Sequence, residues 1–188
     1  MFDSHCHLDL TEGEPNACIE RARRAGVSHL LIAGVDQTGW ARQLAWARPT
    51  VFLGIGLHPW WAGQNPTAID PAMDSLHAFI ERHRGAVNAI GETGLDFGRR
   101  LPKDTRPAQE QAFSQQIDAA VCLDLPLILH VVQAHGAVLK RLRSSPLPRR
   151  PGVVHGFSGS AEVATECVRL GFCISFNGAV TRPNRTGL

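Results

Sequence analysis

Short apolar runs alternate with longer segments of helical periodicity along the whole chain, and this alternation constrains the fold more than any other feature. The apolar runs predict buried strands over residues 2–7, 28–33, 51–58, 86–92, 127–131, 152–155 and 172–176. Helical segments lie between them, over residues 14–25, 37–47, 71–84, 107–123, 134–144 and 160–170. Because a helix between two strands lets those strands pair in parallel, the order predicts an α/β fold with one parallel sheet.

The residues near the strand ends favour a closed barrel over an open, doubly wound sheet. An open dinucleotide-binding sheet would carry a glycine-rich turn after its first strand, whereas this chain has His5 and His7 there. The polar residues that close other predicted strands are His58, Glu92, His130 and His155. Since the carboxyl ends of barrel strands converge on one mouth, we predict a (β/α)8 barrel of the TIM type, with about seven βα units in this chain.

Length and composition narrow the class further. The chain has 188 residues, 44% of them hydrophobic, and a net charge of +2, which favours one globular domain over residues 1–188. The longest apolar stretches, such as 125–132, are far shorter than the roughly 18 residues that a membrane span needs. With no signal-peptide pattern at the start, we expect a cytoplasmic protein without a membrane partner. Five irregularly spaced cysteines argue against a disulfide framework.

A set of histidines and one glutamate predicts a metal site at the barrel mouth. His5 and His7 are two residues apart on a strand, so their imidazoles point to the same face and can share one ion. Glu92, His130 and His155 each end an apolar run and add a carboxylate and two imidazoles to that mouth. A divalent cation would satisfy these buried polar groups together, which packing alone would not.

Five motifs resemble those of the TatD-related deoxyribonucleases, which are metal-dependent hydrolases with a (β/α)8 barrel of the amidohydrolase type. The motifs occur in the family's order and run through the whole chain. They are Asp3-Ser4-His5-Cys6-His7-Leu8-Asp9; Gly54-Ile55-Gly56-Leu57-His58-Pro59; Ile90-Gly91-Glu92-Thr93-Gly94-Leu95-Asp96; Gln109, Phe113 and Gln116 with Leu125-Pro126-Leu127-Ile128-Leu129-His130; and Val154-His155-Gly156-Phe157-Ser158-Gly159.

The resemblance implies a role for each residue of the site. His5 and His7 would bind one divalent ion, and Glu92 would bridge it to a second ion. His130 and His155 would complete the ligand set. The metals would be Mg, Mn or Zn, which the sequence does not distinguish. By the same resemblance His58 would contact the substrate phosphate or support the ligands, so Glu92 and His58 are the predicted catalytic residues.

Two departures from the family pattern affect this assignment. The family histidine on the fifth strand is followed by Ser-Arg, whereas Val131 and Val132 follow it here, so a cation that could hold a phosphate oxygen is missing at that place. The family's Thr-Asp-x-Pro motif, whose aspartate is a ligand and the expected base, is also absent from this sequence. We therefore expect a C-terminally incomplete hydrolase domain, with Asp9 and Asp96 as the nearest substitutes for that aspartate.

Residues expected at the rim of the mouth suggest how substrate is held. Trp60 and Trp61 follow His58 in a predicted loop, where they could stack on a nucleobase or cover the end of the barrel. Arg99, Arg100 and Lys103 form a small basic segment after the fourth strand, suited to a phosphodiester. His58, Trp60 and Arg99 are the predicted substrate-binding residues, and DNA or a small phosphodiester is the predicted partner.

Three functions remain open at this point. The first is a metal-dependent deoxyribonuclease or phosphodiesterase, in which divalent ions activate water. The second hydrolyses a C–N or lactone bond with the same ligands, although Glu92 stands where many such enzymes have a lysine. The third is a catalytically impaired binding protein that self-associates through two unpaired edge strands, at residues 2–7 and 172–176. The motifs favour the first.

Overall fold

Seven strands form a single parallel sheet. The structure is a computed structural model that describes residues 1–11 and 13–181. The strands are β1 (Phe2–Cys6), β2 (His29–Ala33), β3 (Val51–Ile55), β4 (Val87–Asp96), β5 (Leu127–Val132), β6 (Gly152–Val154) and β7 (Phe172–Ile174). They are hydrogen-bonded in the order of the chain, from β1 to β7, and every neighbouring pair is parallel. All seven predicted strands are present, and the predicted parallel α/β class is confirmed.

Helices connect successive strands. They are α1 (Pro15–Arg24), α2 (Gln37–Leu44), α3 (Pro59–Gln64), α4 (Ile69–Arg82), α5 (Arg106–Leu123), α6 (His135–Arg143) and α7 (Ala161–Arg169), with short 3₁₀ turns at Leu8–Leu10, Pro66–Ala68, Lys103–Thr105 and Gly178–Thr181. The six predicted helices are all present. Among the described residues, no helix has the length and apolar character needed to cross a membrane.

Two local features differ from the prediction, and both lie near the mouth. The segment after β3 is not a loop but the short helix α3, which His58 caps by accepting a hydrogen bond from the backbone N–H of Trp60 at 3.1 Å. Pro59 occupies the first helical turn, where a missing N–H costs nothing. Strand β4 continues four residues past Glu92 and ends at Asp96, so Glu92 lies within the strand.

The sheet curves into half of a barrel. The imidazole of His5 on β1 stacks on that of His155, the residue after β6, with ring centroids 3.7 Å apart. Two strands that are distant in the sheet order can meet in this way only if the sheet bends around toward itself. The predicted TIM-type architecture with about seven βα units is therefore confirmed.

The outer strands of the sheet are β1 and β7. Within residues 1–11 and 13–181, each of them pairs with a strand on one side only. Phe2 and Phe176 lie at these edges and are about half exposed, at 52% and 58% of their surface. The predicted continuation of the chain at residues 182–186 lies outside the described residues.

Helix α5 holds the start of α3 in place through a buried amide. Gln116 is fully buried, accepts a hydrogen bond from the Leu57 N–H at 2.9 Å and donates to the Leu57 carbonyl at 3.0 Å. Phe113 and Ile117, also on α5, pack into the core beside it. The backbone next to His58 is therefore satisfied by a side chain that lies 59 residues away in sequence.

We predict that Gln116→Leu destabilises the protein by about 2–4 kcal/mol, because it leaves the buried N–H and carbonyl of Leu57 without partners. Chemical denaturation of the purified protein measures this change. The matched control is Gln111→Leu on the same helix, since Gln111 is exposed and donates to the exposed Asp70 at 2.9 Å. The control should change stability by less than about 0.5 kcal/mol. Equal effects of the two substitutions would contradict the role of the buried amide.

Candidate metal centre

One buried carboxylate lies at the centre of five imidazoles. Only 2% of the surface of Glu92 is exposed. Its Oε2 atom faces His5 Nε2 at 3.4 Å and His7 Nε2 at 3.1 Å. These two histidines come from the end of β1, with their rings 4.7 Å apart, as the spacing of two residues predicts.

The other oxygen of the same carboxylate faces a different group of imidazoles. Oε1 lies 2.7 Å from His130 Nδ1 and 2.6 Å from His155 Nε2, and 3.5 Å from His58 Nε2. We call Glu92 and the five histidines 5, 7, 58, 130 and 155 the Glu92 cluster. The structure thus brings together every residue that the sequence predicted as a metal ligand.

The cluster has the donor chemistry of a divalent metal site. Two sets of three donors have all their ligating atoms within 4.8 Å of one another: His5, His7 and Glu92, and His58, Glu92 and His130. Glu92 belongs to both sets. Imidazole and carboxylate donors suit Zn, Mn and related ions. His5 Nε2 and His7 Nε2 lie 3.0 Å apart, which is close enough for both to bind one cation. The residues present therefore fit the metal that the motifs imply.

The glutamate is ionised in this environment. Burial alone would raise the pKa of Glu92, but hydrogen bonds from the surrounding imidazoles, His130 and His155 foremost, hold it well below its ordinary value. In contrast, burial lowers the pKa of His5 to about 3, and the attraction of Glu92 only partly opposes this effect. The cluster therefore offers an anionic carboxylate and a neutral imidazole, the forms in which both groups bind metals.

His130 differs electrostatically from His5 because it has two acidic neighbours. Its burial would lower the pKa, but hydrogen bonds to Asp96 and Glu92 outweigh that effect and raise the pKa of His130 to about 9. Asp96 is likewise ionised, because hydrogen bonds from His130 and Trp60 lower its pKa to about 2 against the effect of burial. In the metal-free protein His130 is thus an imidazolium between two carboxylates.

His58 has one nitrogen committed to the backbone. Its Nδ1 accepts the N–H of Trp60, and burial lowers its pKa, so the neutral ring carries its proton on Nε2. That nitrogen points toward Glu92 and His130. In the metal-free protein His58 consequently presents a hydrogen-bond donor to the mouth, and Nε2 would have to lose this proton before His58 could serve as a ligand in the second set of donors.

Two of the predicted rim residues lie close to the cluster. Trp60 is half-buried, its ring centroid lies 4.9 Å from that of His58, and its indole N–H donates to Asp96 Oδ2 at 2.6 Å. Arg100 lies over the Trp60 ring at 4.5 Å from the centroid. Arg99, the predicted substrate contact, is exposed on the same loop.

Other candidates are placed differently. His135 begins α6 and packs beside Phe157, with ring centroids 5.7 Å apart, outside the Glu92 cluster. The side chain of Asp9 lies outside the described residues. Asp96 belongs to neither set of three donors and contacts the far nitrogen of His130. The sequence offers Asp96 only as a substitute for the missing aspartate, and its contact with His130 joins residues 34 positions apart, which the run Gly94-Leu95-Asp96 does not indicate.

A glycine brings β4 and β5 close enough for these contacts. Gly94 has φ +129°, and a Cβ at this position would lie 2.2 Å from the carbonyl oxygen of His130. Any side chain there would push the two strands apart. Gly94 also pairs with His130 in the strand register, two residues after Glu92.

Comparison with known proteins agrees with this geometry. The family described as TatD related DNase matches residues 2–188. The uncharacterized metal-dependent hydrolase YjjV of Escherichia coli is 36% identical over 187 residues, which cover 97% of this chain and 70% of that protein. The 3'-5' ssDNA/RNA exonuclease TatD of Musicola paradisiaca is 33% identical over 190 residues, or 98% of this chain and 69% of that protein.

The fold comparison points the same way. The crystal structure of YjjV superposes with a TM-score of 0.87 at 33% identity, covering 98% of this chain and 71% of that one. The predicted resemblance and the predicted class of metal-dependent hydrolase are both confirmed. With its parallel half-barrel and its buried cluster of histidines around a glutamate, this chain belongs to the TatD-related DNase family.

Proposed function

We propose that this protein is a two-metal phosphodiesterase that hydrolyses nucleic acid from an end. The observation that carries the proposal is the position of the Glu92 carboxylate, whose two oxygens face two separate groups of imidazoles. His5 and His7 would hold one divalent ion, and His130 and His155 would hold the other. Glu92 would belong to both sites.

When bound, such ions neutralise charge on a phosphoryl group and lower the pKa of water so that hydroxide is available near neutral pH. The protein's own groups act around them. Glu92 stays ionised and would contribute one oxygen to each site. His58, with its proton on Nε2, donates a hydrogen bond toward a phosphate oxygen, and burial keeps it from titrating to the imidazolium.

The substrate proposal rests on the rim of the mouth and on the relatives. Arg100 and Arg99 extend from the loop after β4 and supply positive charge for phosphates. Trp60 provides an aromatic surface near His58. A cavity of about 310 Å³ lies against His5 and His155 and is large enough for a small ligand. Contacts with phosphate groups and stacking on an aromatic ring do not distinguish one base from another, so we expect little base preference.

An alternative is hydrolysis of a C–N or lactone bond by the same metal centre. The ligand set alone is compatible with it. The cationic loop and the names of relatives such as the ssDNA/RNA exonuclease of Musicola paradisiaca favour a phosphodiester. A catalytically impaired binding protein is the third possibility, and measured turnover separates it from both.

Three further sequence predictions stay proposals. One hydrolase domain over residues 1–188 agrees with the continuous sheet, although residues 182–188 lie outside the described part. Self-association through β1 and β7 is supported by their one-sided pairing among the described residues and by exposed Phe2 and Phe176. A cytoplasmic location and the absence of membrane contact rest on the sequence pattern.

We predict that the double variant His5→Ala/His7→Ala loses about half of the bound Zn²⁺ or Mn²⁺, because one of the two ligand groups is removed while the other remains. Elemental analysis of protein dialysed against a known free-metal concentration measures the stoichiometry. The matched control is His77→Ala/His83→Ala, which alters two histidines on and after α4. The proposal fails if the metal content of the first variant equals that of the control.

We predict hydrolysis of single-stranded DNA or RNA that depends on Mg²⁺ or Mn²⁺ and falls roughly 100-fold or more in Glu92→Gln. The amide lacks the charge to bridge two cations, and a loss of about 3 kcal/mol of transition-state stabilisation corresponds to that factor. End-labelled oligonucleotides measure the rate and the direction of cleavage. Intact oligonucleotides together with turnover of an amide or lactone panel would establish the alternative function.

We predict that Arg100→Ala raises the KM for an oligonucleotide about threefold to tenfold with little change in kcat, because a contact remote from the reacting phosphate acts on binding. Arg99→Ala is the matched neighbour, and its effect should be smaller, since only Arg100 lies over Trp60 among the described residues. The initial rate as a function of oligonucleotide concentration measures both constants. A larger effect at Arg99 would transfer the substrate contact to that residue.

A further inference from the structure

Asp96 is a buried carboxylate that the proposed ligand set does not use. It is 5% exposed and ends β4. Its Oδ2 accepts hydrogen bonds from Trp60 Nε1 at 2.6 Å and from His130 Nε2 at 3.1 Å. The Oδ1 atom of Asp96 accepts a hydrogen bond from the Gly98 N–H at 2.8 Å. The backbone N–H of Asp96 donates to the buried Gln109 Oε1 at 2.8 Å. The side chain is therefore held on every polar atom.

His130 lies between this aspartate and the metal centre. Its Nδ1 faces Glu92 at 2.7 Å while its Nε2 faces Asp96. A carboxylate only accepts hydrogen bonds, so the nitrogen that faces Asp96 must carry a proton. By the same rule Nδ1 carries a proton toward Glu92 in the metal-free protein. A cation held by Glu92 would replace that proton, so Nδ1 is the nitrogen available to a metal while Nε2 keeps its proton toward Asp96. Partners of this kind orient a ligating imidazole and select its tautomer.

We infer that Asp96 is a positioning residue, which fixes the ring of His130 so that Nδ1 is the atom offered to the metal and which ties Trp60 to the same carboxylate. The inference rests on the proposed metal centre and adds to it a residue outside the ligands. It also connects the aromatic rim to the ligand sphere, because Trp60 Nε1 and His130 Nε2 share one oxygen atom of Asp96.

A purely structural role for Asp96 is the competing explanation. The bond from Gly98 to Oδ1 closes a turn at the start of the loop, and such turns are common for aspartate. This bond uses Oδ1, however, and leaves Oδ2 to the two side chains of the site. Loss of the turn alone would change stability, whereas loss of the bond to His130 would change how that ring binds a metal.

The first test uses the unaltered protein. In the Zn²⁺-loaded protein labelled with ¹⁵N at histidine, two-bond ¹H–¹⁵N correlation spectra should show the proton of His130 on Nε2 and the metal-shifted resonance on Nδ1. The signals are assigned by comparison with His130→Asn. A spectrum with the proton on Nδ1 and the metal on Nε2 would overturn the inference without any question of misfolding.

The second test uses Asp96→Asn, which keeps the shape of the side chain and removes its charge. We expect about a 10-fold to 100-fold weaker affinity for Zn²⁺ by competition with a chelating dye, at unchanged far-ultraviolet circular dichroism. The control is Asp36→Asn, an aspartate that caps α2 through the N–H groups of Thr38 and Gly39. It should leave both the Zn²⁺ affinity and the melting temperature nearly unchanged, because asparagine caps a helix about as well as aspartate.

The outcomes separate this inference from the proposed function. If Asp96→Asn binds Zn²⁺ as the unaltered protein does, while His130→Asn binds it more weakly, Asp96 is structural only and the metal centre stands. If His130→Asn also retains full affinity and stoichiometry, His130 is not a ligand and the proposed centre itself is wrong.

Discussion

The mouth of this half-barrel depends on the contacts between the buried, anionic Glu92 carboxylate and the imidazoles around it. A carboxylate that is 2% exposed must have partners, and here both of its oxygens have them. Those partners come from β1, from β5, from the residue after β6 and from the cap of α3. One charge in the centre of the sheet thus relates segments that are separated by more than a hundred residues in sequence.

The rest of the structure supplies the rigidity that this arrangement needs. Gly94 lets β4 and β5 approach without a side chain between them. Helix α5 sends two buried amides to the backbone of the mouth, Gln116 to Leu57 and Gln109 to Asp96. These contacts satisfy backbone groups that the sheet ladder leaves open at its carboxyl end. They also position His58, which caps α3, and Asp96, which ends β4.

The rim residues that we propose for substrate binding are connected to the Glu92 cluster by direct contacts. Trp60 donates to Asp96, Asp96 accepts from His130, and Arg100 lies over Trp60. A charge bound at the rim would therefore lie beside groups that already contact the ligands. Val131 and Val132 follow His130 where the family has Ser-Arg, so no arginine comes from that place. Arg100, on the loop after β4, places a cation over Trp60 instead.

The sequence by itself determined the order and type of the elements, because apolar periodicity is a local property that survives in every parallel βα unit. It also determined which side chains meet: His5 and His7 through strand alternation, and Glu92, His130 and His155 because they lie at or near the ends of strands whose carboxyl ends converge. Only the tertiary structure decided that His58 caps a helix through Nδ1, that Asp96 contacts His130 and that Arg100 covers Trp60. These contacts join residues 34 to 40 positions apart, or depend on which nitrogen of a ring faces a neighbour, and no local pattern encodes either.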